Sequence, residues 1–110
     1  MKSRERVLKA INHEEADRVP LDFGSTHASG IMASVVAKLK QALGLKSAGQ
    51  PVKVIDGYQM LGEVDEELRQ ALGIDTVALT ETAVWFGFPN TDWKGWTLFD
   101  GTEVQVPGLF

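Results

Sequence analysis

The chain has 110 residues and a formal net charge of −4, from 15 acidic and 11 basic side chains. Hydrophobic residues make up 44% and charged residues 24%, a globular balance that argues against disorder and fits a single domain. It contains no cysteine, which excludes disulfides and thiolate metal sites, and an acidic chain without a long basic run argues against nucleic-acid binding.

The charged start, Met1 to Arg6, is not followed by the apolar run of a secretory signal. No window approaches the roughly 20 apolar residues of a membrane span. With no cysteine, these features fit a cytoplasmic protein. Ser3 is placed to cap a first helix, whose stripe is Val7, Leu8 and Ile11 and whose end is Asn12-His13. Val19 to Phe23 reads as a short strand, with Pro20 at its start or on an edge. A small-residue loop follows from Gly24 to Gly30. The next helix carries Ile31, Val35, Leu39 and Leu43 at steps of four, and Gly44 is its left-handed stop, with Leu45 as the contact beyond. Val52 to Ile55 is a second strand. A third helix has Leu61, Val64, Leu68 and Leu72 on one face and stops at Gly73; Thr76 to Leu79 then reads as another strand.

Leu39 to Leu45 echoes Leu68 to Ile74, 29 positions later. A helix–strand unit at that period implies alternating β/α architecture with parallel strands. Two good helix C-termini would look the same. The last third differs, because Asp100-Gly101 marks a hairpin. A three-residue loop, Phe99 to Gly101, pairs Leu98 with Thr102 and Trp96 with Val104. That register puts Trp96, Leu98, Val104 and Val106 on one face, and burial of a face fixes register.

Three places could carry chemistry. Ser25, Thr26 and His27 lie between a strand end and a helix start, where α/β folds bind ligands. Their hydroxyls, imidazole and free helix amides could hold an anion. An ordinary turn capped by Thr26 or Ser29 is the plainer alternative. Asp22, an acid in an apolar strand, needs a partner or a role, and Arg18 is the nearest partner; alternation would otherwise put it in solvent. On the strand–loop–helix order, His27 and Asp22 are expected to face one cavity. The aromatic set Trp85, Phe86, Phe88, Trp93 and Trp96 could stack on a flat ligand, although packing is its usual use. Two histidines without cysteine do not make a zinc site.

Ser3 to Leu8 with Ile11 to Glu14, Asp17 to Pro20 and Asp22-Phe23-Gly24 resemble the N-terminus of the uroporphyrinogen decarboxylase superfamily. Thr26 to Ile31, Glu63 to Leu68, Leu72 to Asp75, Trp96 to Leu98 and Asp100 to Thr102 extend the likeness along nearly the whole chain. The resemblance implies an α/β fold, a (β/α)8 barrel of roughly 350 residues. Residues 1–110 would be its N-terminal third, with a hairpin near their end. The superfamily decarboxylates uroporphyrinogen without a cofactor, or transfers methyl groups with zinc, a corrinoid and a thiol or aryl ether. Decarboxylases carry an Arg-x-x-Gly-Arg-Tyr motif where this chain has Ser25 to Gly30. They carry a catalytic aspartate where it has Glu81-Thr82. These departures favour the methyltransferase-type branch, with a small-molecule substrate contacted by Asp22, Ser25, Thr26 and His27 and a corrinoid protein as partner. Zinc would be held outside these residues, and no cofactor within them. The alternatives are decarboxylation of uroporphyrinogen or a related acid, and a non-catalytic binding or assembly module. A third of a barrel would be inactive alone. It would leave strand edges and helix faces (Val35, Leu39, Leu68, Leu72) to self-association or to the rest of the barrel.

Overall fold

The computed structural model describes residues 1–79, 81–84 and 86–110. Its helices are Ser3–Ile11 (α1), Ala33–Ala42 (α2) and Glu66–Leu72 (α3). Its strands are Val52–Asp56 (β1), Leu61–Gly62 (β2), Lys94–Thr97 (β3) and Glu103–Val106 (β4). They form one mixed sheet in the order β2-β1-β4-β3: β1 runs antiparallel to β2 and parallel to β4, and β3 runs antiparallel to β4.

This is a small α/β domain and not a segment of a (β/α)8 barrel. A barrel needs consecutive parallel strands joined through helices. Here the parallel pair is β1 with β4, and the partner β4 comes from the hairpin. The expected strands 19–23 and 76–79 do not form ladders. Asp75 N donates to Leu21 O at 2.9 Å, but Leu21 N donates back to the Asp75 side chain. A carboxylate thus takes the amide that a neighbouring strand's carbonyl would take, and pairing stops there. The 29-residue echo is one of helix ends: Gly44 and Gly73 adopt left-handed φ of 64° and 67°. Leu45 N reaches Lys40 O and Ile74 N reaches Arg69 O, closing both ends alike.

The core follows from alternation. Val52, Val54 and Asp56 point to the buried side of β1, while Lys53 and Ile55 are half-buried on the other. Ala33 and Val36 of α2 meet Val52, Val54, Val104 and Val106, with Leu68 and Leu98 closing the cluster. Helix α2 buries positions 33, 34, 36 and 40; of the expected stripe Ile31 and Leu39 pack against the core, while Val35 and Leu43 are exposed. Leu68, expected on an open face, is fully buried. The third helix starts later than its apolar spacing implies. Asp65 accepts from Leu68 N at 3.0 Å as N-cap, and Leu61 is recruited into β2 instead. The hairpin has the expected register, with Trp96 opposite Val104 and Gly101 at φ 85°.

Helix α1 is held differently. Its Leu8 and Ile11 are exposed and its one buried residue is Arg6. Ser3 lies inside the helix with its side chain on Asp75, and Lys2 is the uncapped N-cap. Arg6 Nη1 donates to Asp75 at 2.5 Å, and Arg6 Nε and Nη2 donate to Asp17. Arg18 Nη1 reaches the same Asp75 at 2.8 Å, and Arg18 Nη2 reaches Gly73 O. The Asp75 side chain is 0% exposed, and its donors hold its carboxyl well below the usual carboxylate range despite burial. The radius of gyration, 15.2 Å, exceeds the roughly 13 Å of a tightly packed chain of this length, as expected when a helix is moored by ions and not sunk into the core.

Gly62 sits where β2 crosses α2, and a Cβ there would lie 2.9 Å from Ala33 Cα and from Val52 Cγ1. Gly62→Ala is expected to destabilise the chain by about 1–3 kcal/mol in urea titration. Asp75 has a depressed pKa in the folded state, so its contribution is present above the ordinary carboxylate value and is lost as pH falls through the depressed one. Asp75→Asn should lower the melting temperature at pH 7 by more than about 10 °C and flatten the acid limb of stability. An unchanged melting temperature would mean that the cluster is ornamental.

Candidate functional site

A cleft of about 590 Å³ opens between the Gly24–Gly30 loop, the outer side of β1, the start of α3 and residues 76–79 and 81. The loop owes its shape to its own hydroxyls. Thr26 Oγ1 accepts from Ser29 N, and Ser29 Oγ accepts from Thr26 N, a reciprocal cap on the 3₁₀ turn His27–Ser29. At its base, Gly24 has φ 85° and packs so closely on Val64 that a Cβ would lie 2.5 Å from Cγ2.

That turn carries His27 towards the sheet. Its Nδ1 donates to Asp56 Oδ2 at 2.6 Å, and its Nε2 faces Glu81 Oε1 at 3.3 Å. Asp56 is almost fully buried, and its second oxygen accepts from Tyr58 N and Gln59 N at 2.8 and 3.2 Å. A carboxylate so fixed orients the ring it holds. The Asp56 carboxylate raises the imidazole above its ordinary pKa against the opposing effect of burial, and Glu81 adds to the rise. The chemistry available is proton exchange at Nε2 of a ring anchored through Nδ1.

The expected site residues separate. Ser25, Thr26 and His27 line the cleft, but Asp22 does not. Asp22 is solvent-exposed, and Thr76 Oγ1 donates to it at 2.7 Å. Hydrogen bonds from Ser25, Thr76 and Ser29 outweigh desolvation and lower its pKa. Arg18 is committed to Asp75 and is not the partner of Asp22. Two amides at the expected anion site are already used: Ser29 N is capped by Thr26, and Ala33 N, at the start of α2, donates to Met60 O.

Sequence reasoning missed Asp56, Lys53 and the partnership of Glu81 with His27. Asp56 ends an apolar strand as Asp22 ends the first apolar segment, and an acid at a strand end was the available signal. Of the aromatic set, Trp93 lines the cleft, under Lys53 Nζ at 5.1 Å from its ring centroid. Trp96 packs edge-on against Phe110 and Phe86 stacks on Phe88, both as packing pairs. Trp85 lies outside the described residues.

Zinc, which the resemblance implies for the intact enzyme, does not fit this donor set. Among the described residues no group of three His, Asp or Glu side chains could hold a metal ion. The two carboxylates on His27 sit at opposite ring nitrogens and do not converge. Among the described residues, no helix is long and apolar enough to cross a membrane. Comparison with protein-family models, with curated proteins and with solved structures finds no match to this chain.

The raised pKa of His27 gives a signed expectation. Its contribution to stability is complete below the unfolded value and disappears as pH rises through the folded one. NMR titration should find His27 protonated to higher pH than a free histidine, and Asp56→Asn should bring it back towards 6.5. A His27 that titrates like a free imidazole would contradict the geometry.

Proposed function

We propose that this chain contributes the substrate-contacting cleft of a methyltransferase-type relative of uroporphyrinogen decarboxylase, cytoplasmic, working with a corrinoid protein as partner. The observation that carries the reading is the His27–Asp56 pair at the cleft wall. Removing a methyl group from an aryl ether leaves an oxygen anion that needs a proton, and methylating a thiol releases one. An imidazolium anchored through Nδ1 can give that proton from Nε2 and take it back. Glu81, on the same nitrogen, is placed to pass it to solvent. The corrinoid, carried by the partner, supplies the methyl acceptor or donor when bound. A cleft of about 590 Å³ suits a small organic molecule, within the usual range of roughly 300–1,000 Å³. The decarboxylase alternative is less well supported, because the loop 25–30 offers no arginine to a substrate carboxylate and Arg69 of the cleft is tied to Glu66.

The test uses the intact gene product with free cob(I)alamin and methoxybenzene or a methyl thioether, followed by visible absorption. His27→Ala should lower kcat by ~10²–10⁴-fold with little change in KM. Methyl transfer indifferent to His27 would overturn the reading, and turnover of uroporphyrinogen in its place would favour the decarboxylase.

A further inference from the structure

We infer that the cleft selects a small carboxylate, whose anionic group is taken by Lys53 while Trp93 holds the Lys53 ammonium in place. This rests on reading the cleft as a substrate site. His27 is met by Asp56 and Glu81, and Arg69 is met by Glu66. Among the described residues, Lys53 is the cleft cation without an ion-pair partner; what it has is the face of Trp93. An aromatic ring attracts an ammonium through its quadrupole but carries no net charge. The charge is therefore positioned and left uncompensated.

Its placement is set by the sheet. Lys53 alternates with the core valines of β1, so its side chain must leave on the cleft side. Lys53 O accepts from Glu63 N, and this backbone bond holds the strand to the cleft's rim. Glu63 itself is exposed and solvated and does not pair with Lys53. Lys53 is half-buried, so it has lost part of its water, and a carboxylate brought to it is attracted more strongly than at an open surface. A ligand body would meet Ile55, Leu61, Val64 and Val77, in a lining that also carries the polar Thr76 and Asn90 and the carboxylates Glu63, Glu66 and Glu81. One anionic end and an apolar body is the ligand this arrangement fits.

The test is titration of the 110-residue chain with benzoate and with benzamide, its neutral isostere, followed by NMR. Benzoate should bind about tenfold more tightly than benzamide, the ordinary worth of a hydrogen bond to a charged group. Lys53→Met keeps the apolar stem and should abolish the difference by weakening benzoate alone. Equal binding of the two ligands by the unaltered chain overturns the carboxylate inference and leaves the cleft as a site. Saturable binding of neither overturns both. The comparison on the unaltered chain decides the matter even if the variant fails to fold.

Discussion

A buried carboxylate with every lone pair used organises this chain. Asp75 receives Arg6, Arg18 and the Leu21 amide on a side chain with no solvent exposure. A buried charge is costly unless it is met completely, and removal of one donor leaves the rest uncompensated. The cluster therefore acts as a unit. It moors α1, which has no apolar face against the core, and it ties residues 17–21 to the end of α3 through Gly73 O. From that tie the chain runs to Asp22, where Thr76 repeats the attachment one position on from the Leu21–Asp75 exchange. The Gly24–Gly30 loop starts from this fixed point.

The other fixed point is the sheet. Valines 52, 54, 104 and 106 share one core across the parallel pair β1 and β4, and α2 covers it with Ala33 and Val36. Burying one face of β1 forces its intervening residues outward, which is how Lys53 and Ile55 come to line a cleft. The cleft is therefore the space between two independently anchored bodies, an ion-pinned loop on one side and an apolar sheet on the other. His27 joins them, reaching from the loop to Asp56 at the end of β1.

This arrangement explains why charges of both signs coexist in the site without cancelling its use. Lys40 pairs with Asp65, which lines the cleft and also caps α3. Glu66 holds Arg69 along one helix face. The local pairings take up Arg69, Lys40 and Asp65, and the cations facing a ligand are then His27, held between two carboxylates, and Lys53, held over an aromatic ring. Their roles differ because their partners do. Carboxylates make His27 a stronger holder of its proton, and an aromatic ring leaves the Lys53 charge intact.

The sequence by itself determined the local features, because those depend on neighbours within a few residues. Gly44 and Gly73 end helices wherever the chain goes, since only glycine takes a left-handed φ without strain. The hairpin register followed from Gly101 and from the face shared by Trp96, Leu98, Val104 and Val106, although Trp96, expected to be buried with the others, stays exposed. The Thr26–Ser29 cap was legible for the same reason. The tertiary structure decided what depends on partners distant in sequence. Residues 19–23 and 76–79 have strand composition, yet the Asp75 side chain occupies the backbone donor that a ladder needs, so no barrel begins there. Asp22 and Asp56 are both acids at the end of apolar segments. One is drawn to Thr76 in solvent, and the other is buried under His27, 29 residues away. Periodicity cannot separate such cases, because each pairing is set by where the rest of the chain places its donors.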